Sequence, residues 1–261
     1  MTWQVLRADM HVHTALSPCA EPEMTPAAIV ARALEVGLDI VAILDHNSGK
    51  NVVAVMSAAR RSAGSELMVL PGIELCTAEE VHICCYFQSP EALAVFEGLL
   101  SPHLSSAKNR PEYFGAQALY GIEGNQIGEE DQMLLAATDL TVGEAVTAVR
   151  DCGGLPVAAH VDRPAYSLVA QLGLIPEGLD LAAAEVSRHY LRAGSAQQVA
   201  EGHLPLIASS DAHRLRDIGS AGTEFRVREI SFDEIEKALA SRRGRRVKRL
   251  WFEQTEGGTK Q

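Results

Sequence analysis

The amino-acid sequence predicts an α/β fold in which parallel strands are joined by crossover helices, as a barrel or a doubly wound sheet. Short apolar, β-rich runs recur along the chain, and several are separated by segments with helical periodicity and legible caps. A length of 261 residues with 47% hydrophobic content is enough for one large core or two small ones.

The first strand is expected around "ADMHV", residues 8–12. "TPAAIVARALEVG" follows as a helix, with Thr25 as N-cap, Pro26 in the first helical position and Gly37 as the stop. Buried strands are then expected at "IVAIL" (40–44), "LMVLPGIEL" (67–75) and "VHICCYF" (81–87). Residues 101–140 break the rhythm. Their "GIEGNQIG" reads as a hairpin turn, so this stretch is expected to be an insertion or cap within a single domain spanning 1–261. "TVGEAVTAVRDCGG" restores it as a helix opened by Thr141 and closed by Gly153. "LPVAAH" (155–160), "LDLAAAEV" (179–186) and "PLIASSD" (205–211) complete the buried strands. The basic run "SRRGRRVKRL" (241–250) suits a solvated last strand better than a nucleic-acid contact, and the tail "EQTEGGTKQ" is expected to fray.

Composition excludes several classes. No apolar run is long enough to span a membrane, and "MTWQVLRADM" lacks the charged-then-apolar order of a signal peptide, so a cytoplasmic protein is expected. Five cysteines, odd in number and mostly within apolar runs, do not form a disulfide framework; Cys19 stands apart from the other four. The net charge of −11 disfavours broad contact with a phosphate backbone.

Within the strands lies a pattern that packing does not require. On a strand at residues 8–13, alternation points Asp9, His11 and His13 one way and Met10 and Val12 the other, which can present two imidazoles to one ion. One HxH pair settles little. But "IVAIL" runs into Asp45 and His46, "VLPGIE" delivers Glu74, "EEVH" places His82 at the head of a strand, "VAAH" ends in His160, and "IASSDAH" ends in Asp211 and His213. Six histidines, with Asp45, Glu74 and Asp211, at strand ends point to a metal centre, because parallel α/β folds bring those ends to one face. His103, His189 and His203 lack this context.

The order HxH, "DHN", "GIE", "VHI", "AH", "SDAH" resembles the polymerase and histidinol phosphatase (PHP) family of metal-dependent phosphoesterases, over about residues 7–230. The resemblance implies a distorted (β/α)7 barrel with a trinuclear cleft holding two or three divalent ions, zinc, manganese or iron. It implies that His11, His13, Glu74 and Asp211 hold one metal, that Glu74 bridges to a second held by His82 and His160, and that His46 and His213 hold a third. Many relatives carry an aspartate where this chain has Pro18, and others a histidine where it has Cys19. A thiolate can bind zinc as an imidazole does, so Cys19 is a candidate third-metal ligand; a small residue buried in a loop, with water completing the site, is the alternative.

Such a cluster is strongly positive and suits a phosphate ester, with an activated water attacking phosphorus in line. Arg163 can donate to a phosphate oxygen or pair with the adjacent Asp162, and Asp45 can orient a histidine or assist proton transfer. A phosphorylated small molecule or nucleotide is the expected substrate, with a terminal-nucleotide exonuclease as the alternative. At 5% aromatic content the chain offers few stacking platforms for single strands. A catalytically dead scaffold would show eroded ligands, whereas every expected position but Cys19 carries a standard ligand type.

Overall fold

The computed structural model describes residues 2–62, 64, 66–190 and 204–252. Seven strands form a nearly closed barrel: β1 (Gln4–Val12), β2 (Ile40–Ile43), β3 (Met68–Cys76), β4 (His82–Tyr86), β7 (Leu155–Ala158), β8 (Ala183–Val186) and β9 (Leu206–Ala208). The outer pair β10 (Ala221–Val227) and β11 (Arg246–Phe252) extends the sheet beyond β1. Closure runs through the Thr223 hydroxyl, which accepts from Ala208 N and donates to Ala208 O, both at 2.9 Å. Backbone bonds between His13 N and Ala212 O (3.0 Å) and between Ala212 N and His11 O (3.2 Å) tie the end of β1 to the segment after β9.

The helix signals are realised where the sequence puts them. In α1 (Pro26–Glu35) Thr25 caps the Ala28 amide, and Gly37 leaves the helix at φ +69°, a conformation that costs glycine nothing. In α5 (Val142–Asp151) Thr141 and Glu144 form a reciprocal capping box. Helices α2 (Val52–Arg61), α3 (Pro90–Leu100), α4 (Pro111–Phe114), α6 (Leu168–Leu172) and α7 (Phe232–Leu239) complete the set among the described residues. No helix there is long and apolar enough to cross a membrane.

Strand alternation divides the core. Ala8, Met10, Ala42, Leu44, Leu70, Tyr86 and Val157 pack in one cluster, and Ile43, Val69, Ile73, Ile83 and Val186 pack in the other with the helices. The expectation of uniformly parallel strands is corrected at β4. It pairs antiparallel with both β3 and β7, and only residues 77–81, too few for a crossover helix, separate it from β3. This reversal brings His82, at the start of β4, opposite Cys76 at the end of β3. The strand β10 lies outside the apolar runs because its apolar residues alternate with Glu224 and Arg226. The second half of the basic stretch opens the edge strand β11, largely exposed or half-buried, while Arg242–Gly244 form a 3-10 turn before it.

The hairpin turn also forms. Strands β5 (Ala118–Tyr120) and β6 (Gln126–Glu129) pair antiparallel in a sheet of their own. Two asparagines stitch the stretch to the barrel. Asn47 Nδ2 donates to Leu134 O and Ala136 O, each at 2.9 Å, while Asn51 Nδ2 donates to Ala118 O at 3.0 Å and its Oδ1 accepts from Tyr120 N at 2.9 Å. Gly115 passes so close to the carbonyl of Pro18 that a Cβ there would collide with it, which fixes this stretch beside the loop carrying Cys19.

Candidate metal centre

The strand ends converge on Glu74. Its Oε1 lies 2.9 Å from His82 Nδ1, 3.1 Å from His160 Nε2 and 3.4 Å from His11 Nε2. Its Oε2 lies 2.9 Å from His46 Nδ1 and 3.5 Å from His13 Nε2. Five imidazoles from four parts of the chain thus surround one buried carboxylate.

A second carboxylate, Asp211, meets the HxH pair. Its Oδ1 is 3.1 Å from His13 Nε2 and 3.5 Å from His11 Nε2, and those two nitrogens are 3.1 Å apart. The His213 ring stacks on His13 with centroids 4.0 Å apart, and the Cys19 thiol sits 3.3 Å from His46 Nε2. His46 therefore stands between Glu74 and Cys19. Cys19 is exposed, unlike the buried Cys76, Cys84 and Cys85, so a small residue buried in a loop does not describe it.

Alternation along β1 holds only in part. His11 and His13 converge, but the β1–β2 register shifts between Asp9 and Val12, and Asp9 is spent elsewhere. It accepts from Ser210 N (3.0 Å), Ser210 Oγ (2.6 Å) and Gly219 N (2.9 Å), holding the "SSDAH" segment against β1. Burial pushes its carboxyl up to about 6 against these hydrogen bonds.

Asp45 lies behind the cleft. It accepts from Thr14 N, Thr14 Oγ1 and Ser17 Oγ, each at 2.7 Å, and Ser17 Oγ is 2.9 Å from His13 Nδ1. It therefore reaches His13 through one hydroxyl, and burial raises its own pKa. Arg163 does not pair with Asp162: its Nη1 is 2.6 Å from Asp211 Oδ2, while Asp162 accepts from Ser187 N and Oγ. The open cleft, about 300 Å³, is lined by Cys19, His46, Glu74, His82, His160, Arg163, Asp211 and His213, with Leu135 and Tyr166 at its rim. Among the described residues Arg163 is the one cationic side chain in that lining besides the histidines.

Charge is strongly coupled here. Burial opposes ionisation of Glu74, yet His82, His11 and His46 hold its carboxyl well below the usual range. Burial likewise opposes ionisation of Asp211, and His11, the His13 hydrogen bond and Arg163 overcome it. For His11, burial is outweighed by Cys84, Glu185, Glu74 and Asp211, so its pKa stands well above the ordinary value. For His13, burial and then His213 prevail and keep the ring neutral.

These donors fit divalent cations. Among the described residues His160 Nδ1 is a buried nitrogen with no hydrogen-bond partner, and the Nε2 atoms of His11 and His13 face each other at 3.1 Å, a contact that a shared cation would satisfy. Among the described residues four sets lie close enough to share an ion: His11, His13 and Asp211; His46, Glu74 and His82; His13, His46 and His213; and His11, Cys84 and Glu185. The backbone is strained at the same place. Asn47, His160, Tyr166 and Asp211 have φ between +27° and +55°, a conformation that costs a non-glycine residue about 1–3 kcal/mol and clusters at functional sites.

Sequence reasoning missed Glu185, Cys84 and Ser17. Glu185 had a signal, since an acidic residue inside the apolar run "LDLAAAEV" needs a partner to be buried. Outside the cluster, His103 pairs with Asp139 and His189 accepts from Arg188, while His203 and the tail 253–261 fall beyond the described residues.

Residues 195–243 match the PHP-associated family model. No curated protein sequence matches the chain. Among solved structures, the lesion-specific endonuclease PfuEndoQ from Pyrococcus furiosus is similar at a TM-score of 0.66 and 17% identity, covering 95% of this chain. This chain spans 58% of that protein's length. PsfC from Pseudomonas syringae is similar at 0.57 and 19% identity, covering 97% of this chain and 93% of its own. A two-domain protein from Bacteroides vulgatus, containing a predicted PHP-like metal-dependent phosphoesterase, is similar at 0.58 and 16% identity, covering 96% of this chain and 65% of its own. At such identities the likeness is one of fold.

Proposed function

We propose, from the PHP assignment that the family-model match and the shared fold support, that this chain is a metal-dependent hydrolase of small phosphate esters, nucleotides included. The observation that carries the reading is the buried Glu74 carboxylate with five imidazole nitrogens within 3.5 Å.

Two or three divalent ions bound there would supply Lewis acidity and an activated water. In this reading His11, His13, Glu74 and Asp211 hold one ion, Glu74 with His82 and His160 a second, and His46, His213 and Cys19 a third. The residues' own work is to collect charge and orient it. Glu74, held ionised by His82, His11 and His46, offers one oxygen to each side of the cluster. Ser17 and Asp45 hold the His13 ring from behind. Arg163, about a third exposed at the mouth, is anchored on Asp211 by one guanidinium nitrogen and keeps donors free for a non-bridging phosphate oxygen. The Tyr166 ring stacks on His82 with centroids 4.7 Å apart and walls one side.

A nuclease removing terminal nucleotides is the second reading; the likeness to a lesion-specific endonuclease supports nucleic acid as a substrate but not the terminal position of the cut. The acidic charge of the chain weighs against it. A screen with manganese, zinc and iron that reads phosphate from mononucleotides, bisphosphonucleotides and sugar phosphates, and nucleotides from short oligonucleotides, separates the two. Release from small esters is expected, and release from oligonucleotides alone would reverse the order.

A further inference from the structure

Glu185 lies behind the metal set rather than in the cleft. It sits in β8, fully buried, with both carboxylate oxygens 3.1 Å from His11 Nδ1. Its Oε1 also accepts from the backbone N–H of His160 at 3.2 Å. The Cys84 thiol approaches Oε2 at 3.8 Å and His11 Nδ1 at 3.4 Å. Each of these neighbours can donate, so the site suits a carboxylate, which only accepts.

The other side of the His11 ring faces the cluster. Nε2 is 3.1 Å from His13 Nε2, 3.4 Å from Glu74 and 3.5 Å from Asp211. A carboxylate at Nδ1 draws the ring proton to that nitrogen and leaves the Nε2 lone pair for a metal. The partner histidine is backed differently, because the Ser17 hydroxyl stands between His13 and Asp45.

We propose that Glu185 is the positioning residue of the metal centre: it fixes His11 as the Nδ1–H tautomer, strengthens Nε2 as a ligand through its charge, and holds the backbone of His160. The proposal rests on the metal-dependent reading above. It makes the two histidines of one motif unequal, with His11 backed directly by a charge and His13 through a neutral relay.

Glu185→Gln tests it in the full chain. The glutamine keeps the length and one oxygen to accept from His11 Nδ1 and His160 N, so the metal-stripped variant is expected to fold, with a Tm somewhat below that of the wild type because one charge beside His11 is lost. Its affinity for manganese and zinc, measured by chelator competition, is expected to fall about 10–100-fold. The visible spectrum of its cobalt(II) form is expected to change as well, which a merely structural role would not require. Wild-type affinity and spectrum in Glu185→Gln would overturn the proposal. A second measurement needs no folded variant: nitrogen NMR of the metal-loaded wild type, with His11 bearing its proton on Nε2, would also overturn it. Wild-type protein that binds metal but hydrolyses no phosphate ester refutes the functional reading and leaves the affinity comparison to decide on Glu185. Wild-type protein that binds no metal refutes both.

Discussion

Replacing Glu74 by glutamine removes one charge from the centre of the cluster and changes its shape least. In the metal-free chain Glu74 sits 3.4 Å from His11 and 2.9 Å from His46, whose pKa values are raised in part by it. At an effective dielectric constant near 20, a unit charge pair at 3 Å attracts by about 5 kcal/mol before desolvation is counted. Most of that does not appear as lost stability. The glutamine has no buried charge to desolvate, and the imidazoles answer by releasing protons, so the metal-free protein is expected to lose about 1–3 kcal/mol, or roughly 2–4 °C in Tm per kcal/mol. Metal-dependent behaviour is expected to suffer far more, because one neutral amide oxygen replaces two charged donors facing opposite sides of the cluster. Loss of about 4 kcal/mol of transition-state stabilisation corresponds to a fall in kcat/KM of roughly a thousandfold. The assay is phosphate release beside metal content by elemental analysis and Tm with and without metal. A variant that hydrolyses within about tenfold of the wild type, with full metal content, would refute the reasoning.

Cys19→Ala is expected to lower metal content by up to one ion per chain and Cys19→His to preserve it; a full complement in the alanine variant would make the thiol structural. Asp9→Ala leaves the donors of Ser210 and Gly219 buried without their partner. At about 1–3 kcal/mol for each stranded donor, a urea titration is expected to show a loss of roughly 3 kcal/mol or more, and a loss under about 1 kcal/mol would contradict the role. The pH dependence of metal-free stability follows from the shifted groups. Glu74 and Asp211, depressed below their ordinary 4.5 and 3.8, stabilise the fold fully above those values and lose this as pH falls through the lower folded values. His11 and His46, raised above 6.5, stabilise it below that value and lose this as pH rises through the higher folded values. His13, held neutral, works the other way and blunts the gain in acid. Tm without metal is therefore expected to peak between about pH 4.5 and 6.5, and a profile rising steadily to pH 9 would contradict it.

By itself the sequence determined what is local: the capped helices behind Thr25 and Thr141, the seven barrel strands, and ligand-type side chains at strand ends. Each depends on neighbours a few positions away, through hydrogen bonds at a helix end or the alternation of a strand, so contiguous residues suffice to reveal it. Tertiary structure alone decided which groups meet. Glu185 reaches His11 across 174 positions, and Arg163 turned from the adjacent Asp162 to Asp211. The reversal of β4 carried His82 to the mouth where the parallel strands end, and Asp9, where the β1–β2 register begins to shift, bonds to Ser210 and Gly219 rather than joining the histidines it precedes. Those meetings follow from strand order, direction and register, which are settled by packing the whole barrel, because shifting one strand by a residue turns every side chain on it to the opposite face.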